Sequence, residues 1–170
     1  MVTDSTPGLA LGMEKAEGNL MKRKPRPSSE GIFAGGAGID MVIQGFIMAT
    51  IVIISFFIGR HMELGEWGIF ESVDGMTMAF LTANFIEMFH AISMRSQRGS
   101  IFKMGSFNWW LLGAFLLTTI LTLGVIYIPF FANLFGFAEI SLKEFFVAFG
   151  LAFSIVPIIE AIKFFQRKNK

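Results

Sequence analysis

The chain has 170 residues, of which 54% are hydrophobic and only 16% charged, with a mean hydropathy of +0.62 and a formal net charge of +1. That balance is too apolar for an ordinary soluble domain and fits an integral membrane protein. It offers no basis for nucleic-acid binding, and the absence of cysteine leaves no disulfide framework from which to read a redox compartment.

Residues 1–12 pair a polar start, Thr3-Asp4-Ser5-Thr6, with an apolar stretch too short to cross a bilayer alone. The segment reads as the last part of a transmembrane helix. It is no signal peptide, because Asp4 comes early and the basic run Met21-Lys22-Arg23-Lys24 lies on the wrong side of the apolar stretch. The polar, proline-broken segment from Lys22 to Ser29 reads as a loop. It either only sets topology or also docks against a cytoplasmic partner. Gly35-Gly36-Ala37-Gly38 suggests close backbone packing, and no Lys-Ser/Thr follows to make it a phosphate loop.

Four apolar runs follow, at 37–59, 75–94, 104–128 and 145–162. Each approaches or exceeds the roughly 20 helical residues that a bilayer requires. Arg60-His61 close the first, Asp74 and Arg95 bound the second, Pro129 ends the third, and Lys163 with Arg167-Lys168 stops the fourth. The expected fold is therefore an all-α membrane protein: a helical bundle of four full transmembrane helices plus a partial N-terminal one, forming a single domain over 1–170.

Loop charges orient this bundle. Lys15, Lys22, Arg23, Lys24 and Arg26 precede the first full span, Arg95, Arg98 and Lys103 separate the second from the third, and Lys163, Arg167, Lys168 and Lys170 follow the fourth. The other two loops are acidic or poor in basic residues. The positive-inside rule then places the three basic regions, including the C-terminus, in the cytoplasm.

An ionisable residue within a span is costly and marks a functional site by default. Glu87 is the clear case, with Asn84 one turn before it and His90 one turn after. Carboxylate and amide oxygens on one face suit a hard cation. The competing structural reading is a protonated Glu87 hydrogen-bonded to a neighbouring helix. His90 reads as a packing residue or donor near the cytoplasmic interface, with a metal-ligand role as the alternative. Gln44 and Asn108 read as structural hydrogen-bonding residues, and Glu160 with Lys163 as an interfacial ion pair. Thr3 and Asp4 form a second cluster. Pro7-Gly8 follow at once and would distort or unwind the helix, letting oxygens converge on an ion; the alternative is a simple helix cap.

The stretch from Val2 to Glu14, with Val2-Thr3-Asp4, Pro7 and Ala10-Leu11-Gly12, closely resembles the sixth transmembrane helix of P-type cation-transporting ATPases, above all the calcium pumps. The run Met21-Lys22-Arg23-Lys24-Pro25-Arg26 is similar to the family's basic loop. Ile86-Glu87-Met88 with His90-Ala91 and Arg95-Ser96 resembles the eighth helix, and Val156-Pro157, Glu160 and Lys163-Phe164 the tenth. The resemblance implies a C-terminal membrane domain from late helix six to helix ten. It implies that Thr3, Asp4 and Glu87 are ion ligands, with Asn84 a further candidate. It implies Ca²⁺ as the transported ion, with Mn²⁺, or Na⁺ with K⁺, as the other cations of the family. The partners implied are the lipid bilayer and the remainder of the ATPase, meaning ion-site helices four and five and the cytoplasmic domains. ATP and Mg²⁺ would bind only in those absent domains, and the expected location is the plasma membrane of a prokaryote.

The Asp-Lys-Thr-Gly phosphorylation motif, the Lys-Gly-Ala nucleotide motif and the family's hinge motif are not in this sequence. Without an aspartyl nucleophile there is no acyl-phosphate chemistry. The expectation is a fragment whose Met1 is an internal methionine of a longer reading frame, or one part of a split pump. The contrasting expectation is a free-standing, non-enzymatic membrane bundle, or a truncated remnant, that packs with a partner.

Overall fold

The computed structural model describes residues 2–14, 31, 33, 36–69, 71–96, 101 and 108–168, with the side chains of residues 2–4 outside that description. Seven helices occur among them: α1 (Val2–Gly12), α2 (Ala37–Leu64), α3 (Val73–Ser93), α4 (Trp109–Tyr127), α5 (Pro129–Phe135), α6 (Leu142–Phe153) and α7 (Ile155–Lys168). No strand occurs among the described residues.

Backbone chemistry sets most of the helix ends. α2 runs past Arg60-His61 to Leu64 because a charged side chain does not break a helix. Arg60 is instead buried and donates from Nη1 to the Glu71 carbonyl at 3.2 Å. The helix stops where Gly65 adopts φ 71° and returns its N–H to the His61 carbonyl. Ser72 caps α3 by accepting from the Gly75 N–H at 2.8 Å. Asn108 caps α4 in the same way, accepting from Leu111 at 3.0 Å, so the helix begins at Trp109; residues 104–107, at the start of the predicted third span, lie outside the described residues. Pro129 ends that span as expected and opens the short α5.

The predicted fourth span is built as two pieces. α6 starts at a capping box, with Ser141 and Glu144 bonding each other's backbone. It ends at Phe153, and α7 resumes at Ile155. Pro157 supplies the reason: it has no N–H to offer the Phe153 carbonyl four residues back. Together α6 and α7 make one apolar stretch, Leu142–Lys168, of 27 residues.

Among the described residues three helical stretches are long and apolar enough to cross a membrane: α2, α4 and α6 with α7. α3 is 21 residues long but more polar, carrying Asn84, Glu87 and His90. It sits at the centre of the bundle. α1, α2, α4, α6 and α7 all pack on it, and Met78, Leu81, Phe85 and Ile86 form the heart of the core with Ile51, Ile126, Ala148, Ala152, Ile155 and Ile159. Rings of Phe85 and Phe89 meet Phe115 and Phe149 with centroids 5.2–6.3 Å apart.

α2 and α3 approach each other closely. A Cβ built on Gly59 would lie 2.9 Å from the Gly75 Cα, so the two backbones touch where both residues lack a side chain. A turn or two away Ser55 and Thr82 bond across the same contact at 2.7 Å. Small residues and hydroxyls at a helix crossing are the means by which helices associate in lipid. The outward faces carry exposed Ile39, Val42, Phe46, Ile120, Leu134 and Phe146 among others, a surface suited to lipid rather than water.

Candidate cation site

α1 and α3 run parallel, and α4 runs antiparallel to both. Their meeting point is a second apolar cluster of Ala10, Met88, Ala91, Leu111 and Ala114. Below it, toward the helix ends, Glu14 meets Arg95, 81 residues further on. The same offset carried back up the pair brings Thr3 level with Asn84, and Asp4 level with Phe85. Asn84 and Glu87 each lie one turn before a residue of that cluster, Met88 and Ala91 respectively, so they sit on or beside the face of α3 that receives α1. On that register residues 3 and 4 of the backbone fall near the depth of Asn84 and Glu87. The side chains of Thr3 and Asp4 themselves lie outside the described residues.

The expected unwinding at Pro7-Gly8 is not found. α1 is helical from Val2 to Gly12 with Pro7 inside it. A proline can be carried within a helix at the loss of one hydrogen bond, and the missing N–H here is the one that would serve the Thr3 carbonyl. A main-chain oxygen is therefore deprived of its helical donor at the start of the motif, without the helix opening.

The three polar residues of α3 divide. Asn84 is buried and donates from Nδ2 to the Phe80 carbonyl at 2.8 Å, leaving its oxygen as the atom it can offer. Glu87 is exposed. His90 turns to α2, where Nε2 and the Gln44 Oε1 are 2.8 Å apart; both residues have the structural role expected of them. Among the described residues no three His, Asp or Glu side chains come together to hold a metal.

One cluster was not foreseen. Arg95 donates to Glu14 from Nη2 at 2.8 Å and from Nε at 3.0 Å, and Asn108 donates to the same carboxylate at 2.6 Å and sits 3.0 Å from the Ala10 carbonyl. The hydrogen bonds from Arg95 hold the Glu14 carboxyl below the usual carboxylate range, against the opposing effect of burial, with Asn108 adding to the depression. Asn108 thus has a charged partner, just beyond the end of α1. The clue in the sequence was an acid and a base each placed just past the end of an apolar segment on the same expected side of the membrane.

At the same end of the bundle Lys163 of α7 is 2% exposed and donates to the carbonyls of Ser93 and Ser96, at 2.5 and 2.7 Å. Its expected partner Glu160 is 3.5 Å away and also accepts from the Ile101 N–H at 3.3 Å. Lys163 therefore caps the end of α3 instead of terminating α7.

Fold and surface define an all-helical, integral, multi-pass membrane protein. Residues 1–165 match the family "Cation transporting ATPase, C-terminus", and the chain belongs to this family of P-type ATPases. It is 37% identical over 170 residues to "Calcium-transporting ATPase lmo0841" of Listeria monocytogenes, covering 99% of this chain and 18% of the relative. It is 31% identical over 182 residues to "Calcium-transporting ATPase 1" of Bacillus cereus, covering 99% and 20%. With "Calcium-transporting ATPase" of Bacillus subtilis it shares 34% over 153 residues, covering 89% and 16%. The chain spans about a fifth of the length of these relatives.

Proposed function

We propose that this chain is the membrane-embedded C-terminal part of an ATP-driven Ca²⁺ export pump, a single domain over 1–170 that contributes ion ligands and helix packing. The observation that carries the reading is the parallel packing of α1 on α3, through Ala10 in one cluster with Met88 and Ala91 and through Glu14 on Arg95; the reading extends that register to residues 3 and 4, at the depth of Asn84 and Glu87. Thr3, Asp4 and Glu87 are the ligands, and Asn84 offers a further oxygen. Carboxylate, hydroxyl, amide and main-chain oxygens are the donor set that Ca²⁺ prefers, and the names of the bacterial relatives support Ca²⁺ over the family's other cations.

α3 acts as the fourth full span, beside α2, α4 and α6 with α7, and α1 is the partial one. Apart from the exposed Glu87, its polarity is tolerable because five other helices pack on it and it meets mostly protein. The remaining ligands and the phosphorylated aspartate come from the rest of the ATPase. Phosphorylation there shifts the helices against one another and releases the ion outward. The basic residues Arg95 and Lys163 lie at the same end of the bundle, at Glu14–Arg95 and at Lys163–Ser93, which supports a cytoplasmic C-terminus in a bacterial plasma membrane.

The test is a chimera in which this chain replaces the matching segment of the Listeria calcium-transporting ATPase. Asp4→Asn and Glu87→Gln should each weaken Ca²⁺-dependent phosphorylation by about tenfold or more, the worth of one charged contact. Unchanged Ca²⁺ affinity in both variants rules out the ligand assignment.

A further inference from the structure

Two hydroxyls in the α3–α4 seam have no part in the site so far. Thr118 and Thr122 of α4 are each 2% exposed, and neither Oγ1 has a hydrogen-bond partner among the described residues. Their neighbour Thr119 behaves ordinarily and donates to the Phe115 carbonyl four residues back at 2.8 Å. A buried hydroxyl without a partner is destabilising, and valine, of nearly the same shape, would carry no such cost. Thr at both positions, one turn apart on one face, therefore asks for a polar ligand in the seam.

The register says which residue lies opposite. Ala114 packs with Met88 and Ala91, and the Phe115 ring lies 6.3 Å from Phe85 and 5.5 Å from Phe89. Because α4 runs antiparallel to α3, one further turn brings Thr118 level with Asn84. The Asn84 nitrogen is committed to the Phe80 carbonyl, so an acceptor oxygen and a hydroxyl lie at the same depth of the two helices. A buried water needs two to four polar partners, and Ca²⁺ takes six to eight oxygens, water among them.

We propose that Thr118 extends the cation site into the α3–α4 seam, by holding a water molecule between its hydroxyl and Asn84 that completes the ion's oxygen shell, with Thr122 anchoring a second water one turn behind. The inference rests on the reading of the site given above. It makes Thr118 a positioning residue, acting on the ion through water.

The experiment uses the same chimeric pump and reads Ca²⁺ dependence of phosphorylation alongside thermal stability. Thr118→Val should weaken Ca²⁺ affinity about three- to tenfold at unchanged maximal phosphorylation, and Thr118→Ser should restore it. Thr122→Val should have a smaller effect in the same direction. Wild-type affinity in Thr118→Val overturns the proposal. So does failure of that variant to accumulate folded, since the hydroxyl would then be needed by the fold itself. If Asp4→Asn and Glu87→Gln weaken affinity while Thr118→Val does not, only this inference fails. If none of the three changes affinity, the site reading falls with it.

Discussion

Arg95 fastens the end of α1 to the end of α3 by gripping both oxygens of Glu14, and Asn108 binds the same carboxylate from the cap position that precedes α4. Three helices that are separated in sequence are joined at one partly buried carboxylate. Arg95→Ala should therefore leave a desolvated charge behind and cost about 3 kcal/mol, in the range seen when one partner of a buried pair is removed. Glu14→Gln keeps the shape and some hydrogen bonds and should cost less. Thermal unfolding of the chimeric pump in detergent measures both.

The same contact has a pH signature. The Glu14 carboxyl is held below its ordinary value of 4.5, chiefly by the hydrogen bonds from Arg95. A depressed carboxylate stabilises the fold fully above the unfolded value, and the contribution disappears as pH falls through the folded one. Stability measured from neutral pH downward should fall once the pH passes below about 4.5, the unfolded value. Glu14→Gln should remove this part of the loss. An identical acid profile in the variant would show that Glu14 does not supply it.

Gly59 and Gly75 should be intolerant of even one carbon. An added methyl at Gly59 meets the Gly75 Cα at 2.9 Å, and one at Gly75 meets the Phe56 carbonyl at 2.9 Å. Both obstacles are backbone and cannot rotate away. Gly59→Ala should push α2 and α3 apart and cost about 1–3 kcal/mol, the usual penalty for overpacking. A lower unfolding temperature and faster backbone amide exchange in α2 and α3 near Gly59 and Gly75 would report it.

Lys163→Ala should be worse than Lys163→Met. Either change leaves the Ser93 and Ser96 carbonyls without their ammonium donor, but methionine keeps the apolar stem packed against the core. The alanine variant should lose about 2–4 kcal/mol and the methionine variant less. Equal losses would assign the whole effect to the charge.

Much of the bundle was legible because hydropathy sets which segments enter a membrane, and α2, α4 and α6–α7 are built around the apolar runs. The ends were less legible. Arg60 and Lys163 read as stops, yet both are buried and hydrogen-bonded, and the true stop of α2 is Gly65. In the candidate site, Thr3, Asp4, Asn84 and Glu87 stood out because polar residues are rare inside apolar segments. Thr118 and Thr122 did not, since a threonine in a membrane helix ordinarily bonds its own backbone, as Thr119 does. Glu14 was hidden by its place just beyond the helix, where its partner could only be found in three dimensions.

Pro7 and Glu14 together give α1 a mechanical asymmetry. Below the proline the helix is held twice, by the Ala10 contact and by the Arg95 grip. At the proline one rung of the hydrogen-bond ladder is missing. Any torque applied to this segment is therefore relieved on the Thr3-Asp4 side, while the far end stays put. The segment works as a lever whose pivot lies next to its proposed cargo, so that a small tilt displaces Thr3 and Asp4 relative to Glu87 without disturbing the joints that hold the bundle together.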